Sequence, residues 1–296
     1  MASQTNVELA AGLLKLELSP CVGGSIESFE WIGEGSIRPL LRKCNSRSEK
    51  VLEAASFPIV PYVNRIRGGR FGFRGREVRL QPNMAGDPSP LHGQGWLNSW
   101  QVAEASGASA TLTFRHEPGE WPWAYEARQE FALDEHGLSL RLTCRNTGGE
   151  PMPCGLGQHP YFRCGPETRI DTNVTHAWTI DEHVLPVERV PAEGRFDLAD
   201  RAVCAQGLDH GFGGWGGEAR IRDPRWPYEI TMASPDAHFF QLYSPLEGGI
   251  FVAEPVTHAN GALNAPEDQW SELGMRVLES GEAMSLDMRL GVMATC

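Results

Sequence analysis

The sequence of 296 residues has no Cys-x-x-Cys pair, no run of 18 apolar residues and no glycine-rich loop ending in Gly-Lys-Ser or Gly-Lys-Thr. Each gap removes a class of function. Seven cysteines, at positions 21, 44, 144, 154, 164, 204 and 296, are odd in number and lack the spacing of zinc ligands. They therefore read as reduced thiols, with neither a disulfide framework nor a structural metal expected. Without a long apolar run there is no transmembrane helix to assign. The opening Met-Ala-Ser-Gln-Thr-Asn-Val-Glu lacks the basic-then-apolar order of an export leader, so the expected location is the cytoplasm. Gly23-Gly24 is followed by neither a lysine nor a helical pattern and is no phosphate loop. Positive charge is also scarce. Lys and Arg total 26 against 38 Asp and Glu, giving a net charge of −12 and a pI near 5.2. Such a field repels phosphate backbones and anionic headgroups, so neither nucleic acid nor a membrane is an expected partner, and a neutral small molecule fits better.

Helical periodicity is missing as well. No amphipathic stretch reaches 12 residues, and only short helical hints occur, at 51–55 and 197–202. What fills the chain instead is alternation of apolar and polar residues, punctuated by 33 Gly and 21 Pro. Val7 to Leu18 reads as two strands around a turn. Ser109-Ala-Thr-Leu-Thr-Phe-Arg115, Tyr125-Glu-Ala-Arg-Gln-Glu-Phe-Ala-Leu133 and Leu138-Ser-Leu-Arg-Leu-Thr-Cys-Arg-Asn146 are period-two strands, with turns at 134–137 and 146–149. Arg70 to Leu80 reads as a hairpin around Arg74-Gly75 with its arginines on the solvated side, and residues 33–50 as irregular. This spacing predicts an all-β protein, a large antiparallel β-sandwich, with residues 1–296 as a single domain.

Several chemically capable residues fall in short Gly- or Pro-marked segments at strand ends. In Gly155-Leu-Gly-Gln-His-Pro-Tyr-Phe-Arg163, Pro160 holds His159 extended, and the two glycines let the backbone pass close to another group. Asn64-Arg65 follows an apolar, Pro-bounded run, and the planar Arg65 fork suits vicinal hydroxyls or a carboxylate. His92 lies in Leu91-His-Gly-Gln-Gly-Trp96, Asp209 in a Gly-rich loop, and Gln241 within Phe239-Phe-Gln-Leu-Tyr243. Glu254 ends the apolar strand Ile250-Phe-Val-Ala-Glu, where a carboxylate is costly to desolvate unless it is partnered. Together these predict one pocket built from many strand ends.

Val60-Pro-Tyr-Val-Asn-Arg-Ile66, Leu91-His-Gly93, His159-Pro-Tyr-Phe162, Leu208-Asp-His210, Phe240-Gln-Leu-Tyr243 and Ala253-Glu-Pro255 resemble, in order, the aldose 1-epimerases, or galactose mutarotases. The resemblance implies a sandwich of the galactose mutarotase type, with a sugar in a groove across one sheet and no cofactor or metal. It implies Glu254 as general base, His159 as general acid, His92 assisting at the ring oxygen, and Asn64, Arg65, Asp209 and Gln241 holding hydroxyls. The expected reaction is anomer interconversion of a free hexose such as galactose or glucose, by a monomer or homodimer. Arg163-Cys164 and His92-Gly-Gln-Gly-Trp96 depart from the commonest family pattern beside the pocket, where substrate hydroxyls are read. Two alternatives remain. A hexose 6-phosphate 1-epimerase would draw on Arg67, Arg70 and Arg163 for the phosphate. A non-catalytic carbohydrate-binding protein would stack sugars on Trp96, Trp121, Trp123 or Trp215. A glycosidase is disfavoured, because Asp209 is the only second acid in a comparable place.

Overall fold

The computed structural model describes residues 5–33, 35–43 and 48–295. Cys44, Cys296 and the first four residues lie outside them. Among the described residues every helical segment is a single 3₁₀ turn, and none is long and apolar enough to cross a membrane. The rest is antiparallel sheet. A nine-stranded sheet runs in the order Arg201–Ala202, Arg169–Thr172, Glu218–Arg222, Tyr228–Ala233, Ala283–Ala294, Gly137–Asn146, Tyr125–Asp134, Ser109–His116 and Gln101–Ala105. An eight-stranded sheet is ordered Pro186–Pro191, His176–Ile180, Leu208–Gly213, Phe239–Ser244, Ile250–Val256, Gly157–Gln158 and Pro58–Ile59, with Tyr161–Arg163 also paired to Ile250–Val256. Val7–Ala11, Leu14–Ser19, Ser25–Gly33 and Ser36–Pro39 form a four-stranded meander.

The alternation in the sequence becomes the two faces of each sheet. Along Tyr125–Asp134, residues Tyr125, Ala127, Gln129, Phe131 and Leu133 are buried, and Leu142 and Leu112 flank Gln129 in register. These side chains join Phe212, Phe240, Leu242, Phe251 and Ala253 of the eight-stranded sheet in one core, which is the sandwich packing expected of two half-apolar sheets. The eight-stranded sheet is buried on its other face too. There Phe239, Val252 and Val256 meet Phe57, Ile59, Val63, Leu91 and Trp96 from the 51–96 segment. This second cluster supplies Phe57, Leu91 and Trp96 to the wall of the candidate site.

The hairpin pairs Arg70–Phe73 with Arg76–Arg79. Arg74 and Gly75 both have positive φ, at 48° and 76°, as a tight two-residue turn requires. Three local readings change. Asp209 lies not in a loop but in the strand Leu208–Gly213, paired with Phe239–Ser244. Residues 197–202 are not helical: the Asp197 carboxylate accepts the Ala199 N–H, which competes with a helix, and Arg201–Ala202 pairs with Arg169–Ile170. Within 33–50, Ser36–Pro39 is an edge strand on Glu30–Gly33. The hint at 51–55 is one 3₁₀ turn, Val51–Glu53.

Candidate active site

Glu254 and Gln241 are direct cross-strand partners, as are Asp209 and Tyr243. Because side chains alternate, Glu254 and Gln241 emerge on the face turned away from the main core, with Val252 and Phe239. The loop from Phe57 to Trp96 covers this face. His159 is set between two short strands by backbone bonds from its own N–H to Phe57 O at 3.0 Å and from Tyr161 N–H to Ala55 O at 2.9 Å. Gly155 is required two turns of chain earlier, since a Cβ there would collide with the His258 ring.

The result is a cavity of about 240 Å³ into which His159, Glu254, His92, Arg65, Asn64 and Asp209 all face. The His159 ring stacks on Phe57 with centroids 4.3 Å apart and leans on Tyr161 at 4.6 Å, while His92 meets it edge-on at 5.5 Å. So clamped, its Nε2 lies 3.5 Å from Glu254 Oε1. His159 Nδ1 and Glu254 Oε2 are buried and make no hydrogen bond among the described residues, although buried polar atoms are nearly always satisfied. His92 and Asn64 each hold a left-handed φ, of 56° and 57°, a strained setting typical of functional loops. The Asn64 N–H donates to His92 Nδ1 at 3.2 Å, so the neutral imidazole carries its proton on Nε2.

Arg65 is fixed rather than free. Its Nε donates to Asp87 Oδ2 at 2.7 Å and its Nη1 to Asn64 Oδ1 at 3.2 Å, and both members of the Arg65–Asp87 ion pair are largely buried. Gln241 is not among the cavity-lining residues. Its Nε2 donates to Asp209 Oδ1 at 2.9 Å and so orients that carboxylate. Asp87 was not legible in the sequence, since Gly86-Asp87-Pro88 reads as a turn. Phe57 and Tyr243 likewise carried no signal beyond strand alternation.

Burial governs the protonation of the site. It pushes Glu254 well above the usual carboxylate range, helped by the Asp209 charge and opposed by Arg65. It pushes His159 down to about 3, with Arg42 adding to the effect, and it lowers His92 as well, with His159 and Arg65 contributing. Asp209 is raised, chiefly by burial. Burial thus disfavours the charged form of both partners, the Glu254 carboxylate and the His159 imidazolium. Donor atoms of His92, His159 and Glu254 also lie within 4.8 Å of one another, so these three side chains could converge on a divalent cation.

The other candidates are dispersed. Trp96 lines the cavity, but Trp121, Trp123 and Trp215 are buried in the main core, where Trp215 stacks on Phe240 at 4.9 Å. They offer no sugar platform because their faces are used for packing. Arg67 is exposed and paired with Asp181, Arg70 lies on the solvated face of its hairpin, and Arg163 opens into a different cleft beside Arg38 and Arg225. None of the three lines the cavity that holds His159 and Glu254.

A family model for aldose 1-epimerase matches residues 8–291. The chain is 36% identical over 295 residues to the uncharacterized protein YphB of Escherichia coli K12, spanning 96% of this chain and 97% of that one. It superposes on the crystal structure of a candidate aldose 1-epimerase from Escherichia coli K12 with a TM-score of 0.89 and 34% identity, covering 98% and 99% of the two chains. A galactose mutarotase-like protein from Clostridium acetobutylicum shares the fold, with a TM-score of 0.85 at 18% identity over 97% and 95% of the chains. With its strand order, its site built across one face of the eight-stranded sheet, and a match spanning nearly its whole length, the chain belongs to the aldose 1-epimerase family.

Proposed function

We propose that the protein interconverts the α and β anomers of a free hexose such as galactose or glucose. The observation that carries this reading is the His159–Glu254 pair. It comprises two titratable groups 3.5 Å apart, each with an unsatisfied polar atom, in a cavity of about 240 Å³ flanked by Arg65, Asn64 and Asp209. When a sugar occupies the cavity, its hydroxyls replace the missing hydrogen-bond partners, and the pair acts with its proton on His159. Glu254 then removes the proton from the C1 hydroxyl as His159 protonates the ring oxygen. The C1–O5 bond breaks, the aldehyde forms, rotation about C1–C2 exposes its other face, and reclosure reverses both transfers. His92, with Nε2–H free to donate, supports the ring oxygen, while Arg65 and Asp209 hold hydroxyls, the latter oriented by Gln241.

Polarimetry of freshly dissolved α-anomers, with and without a 6-phosphate, tests the substrate class. Among the described residues Arg65 is the one arginine lining the cavity, and it is already paired with Asp87, so free hexoses should show the higher kcat/KM. A preference for the phosphate, lost in Arg67→Ala or Arg163→Ala, would establish the 6-phosphate enzyme instead. The orienting role of Asp87 gives a second expectation. Asp87→Ala removes a buried charge-assisted bond worth about 1.5–3 kcal/mol, so KM should rise about tenfold or more with kcat changed much less. A fall in kcat at unchanged KM would place Asp87 in the chemistry rather than in binding.

The proton count of the pair sets the pH profile. Activity needs one proton on the pair and is lost when both groups are protonated or both bare. Since His159 is depressed to about 3 and Glu254 is raised, the acid limb of kcat/KM moves down and the alkaline limb moves up. A stopped-time assay across pH should show a broad plateau with no inflection near 6.5, the ordinary imidazole value. An inflection there that vanishes in His159→Asn would contradict this protonation scheme.

A further inference from the structure

Away from the sugar cavity, the chain brings two thiols together from positions forty residues apart. Cys164 follows the strand Tyr161–Arg163, and Cys204 follows Arg201–Ala202; their sulfurs lie 2.6 Å from each other. Neither arrangement is loose. Cys164 N–H donates to Gly249 O at 3.0 Å, and Gly249 N–H donates in turn to Cys204 Sγ at 3.4 Å. On the other side, Val203 N–H is held by Thr168 O, Val203 O by the Ser244 hydroxyl, and Cys204 O by the Gln206 side chain.

Access separates this pair from the buried cysteines. Cys164 opens onto a cleft of about 290 Å³ formed with Arg38, Arg163, Arg225 and Trp226, so a small oxidant can reach it. Cys144 and Cys154 are sealed in the core. A thiol that a solute can reach, with a second thiol held against it, is the arrangement in which sulfenic acid is resolved to a disulfide.

We infer that Cys164 and Cys204 are a redox-modification site, a dithiol that closes to a reversible disulfide when a hydroperoxide is the oxidant. The Cys164 sulfur, having given up its proton, attacks one peroxide oxygen. The O–O bond breaks, and the departing hydroxide takes up that proton as water. The Cys204 sulfur then attacks the sulfenic sulfur, the S–O bond breaks, and the second oxygen leaves as water with the Cys204 proton. Sulfur loses two electrons and the peroxide gains two. A dithiol reductant reverses the bond by exchange. Closure ties the end of the Tyr161 strand, which walls the sugar cavity, to the turn at 203–206.

The test is to expose the folded full-length chain to hydrogen peroxide, block remaining thiols with a maleimide, and map a digest made without reductant. A peptide joining Cys164 to Cys204, absent before treatment and lost again with dithiothreitol, is the expected result. Cys204→Ser should give no such peptide and leave a Cys164 sulfenic acid that dimedone traps; Cys164→Ser serves the same purpose if the first variant does not fold. Oxidation at Cys21, or bonds between chains, with both Cys164 and Cys204 still open to alkylation would overturn the inference.

Discussion

Glu254→Gln is expected to lower kcat for mutarotation by about two orders of magnitude or more, the usual contribution of one positioned acid or base, while sugar affinity changes far less. Gln fills the same volume between Gln241 and His159 and can still hydrogen bond a hydroxyl, but it cannot take up a proton. His159→Asn should cost a comparable factor. Because the two proton transfers occur in one concerted step, the double variant should lose little more than either single one. Burial helps the comparison: it disfavours the charged form of Glu254, and the neutral amide of Gln is close to isosteric with the carboxyl, so folding should be little disturbed. Progress curves by polarimetry, with galactose binding measured calorimetrically on the same samples, separate the two effects. Near-normal turnover by a folded, galactose-binding Glu254→Gln protein would eliminate the acid/base reading and favour a binding protein.

The second large effect concerns stability in acid. The His258 ring is buried, accepting the Val63 N–H on Nε2 at 2.8 Å and meeting Ala259 O through Nδ1 at 2.8 Å. Only the neutral ring can do both, and burial accordingly holds His258 down to about 4. Its folded pKa is below the unfolded value of 6.5, so the unfolded chain binds the extra proton first as pH falls. Stability contributed by neutral His258 is therefore intact above about 6.5 and is lost progressively down to about 4, a change on the order of 3 kcal/mol. Glu254 and Asp209, whose pKa values are raised, work in the opposite direction, so total stability alone does not isolate the histidine. His258→Gln does. Gln keeps an acceptor and a donor but does not titrate, and the stability gap between parent and variant should narrow by that amount between pH 7 and pH 4 in urea unfolding. A gap independent of pH would show that Val63 and Ala259 do not hold the ring neutral.

Much of the architecture was legible because strand alternation is a local signal. Tyr125 to Leu133 states which side chains face the core without reference to any partner, and Arg74-Gly75 names its own turn. Glu254 was legible for a related reason, as a carboxylate in an apolar strand has few uses. What stayed hidden depends on contacts distant in sequence. Asp87 acquires meaning only when its loop folds back on Arg65, 22 residues away. Trp121 and Trp123 resembled a sugar platform until the 70–80 hairpin covered them, with Phe71 tilted against Trp121 and Phe73 edge-on to Trp123. Arg163 ends the strand Tyr161–Arg163 next to the site, but its side chain lines a separate cleft with Arg38 and Arg225, which come from distant parts of the chain.

The placing of Glu254 has one more effect, on assembly of the sheet. Strand pairing is degenerate under shifts of two residues but not of one, since a one-residue slip exchanges the two faces. For Ile250–Val256 that exchange would push the carboxylate between Phe240 and Leu242, into the hydrocarbon interior, and turn Phe251 and Ala253 towards the cavity that His159 lines. Strands as evenly apolar as this one, buried on both sides, otherwise carry little to tell one alignment from the next. A buried acid on one side supplies the distinction, because the misaligned sheet would have to desolvate it without a partner, at a cost of several kcal/mol. The group proposed to move the proton therefore also acts as the strand's alignment mark while the chain folds.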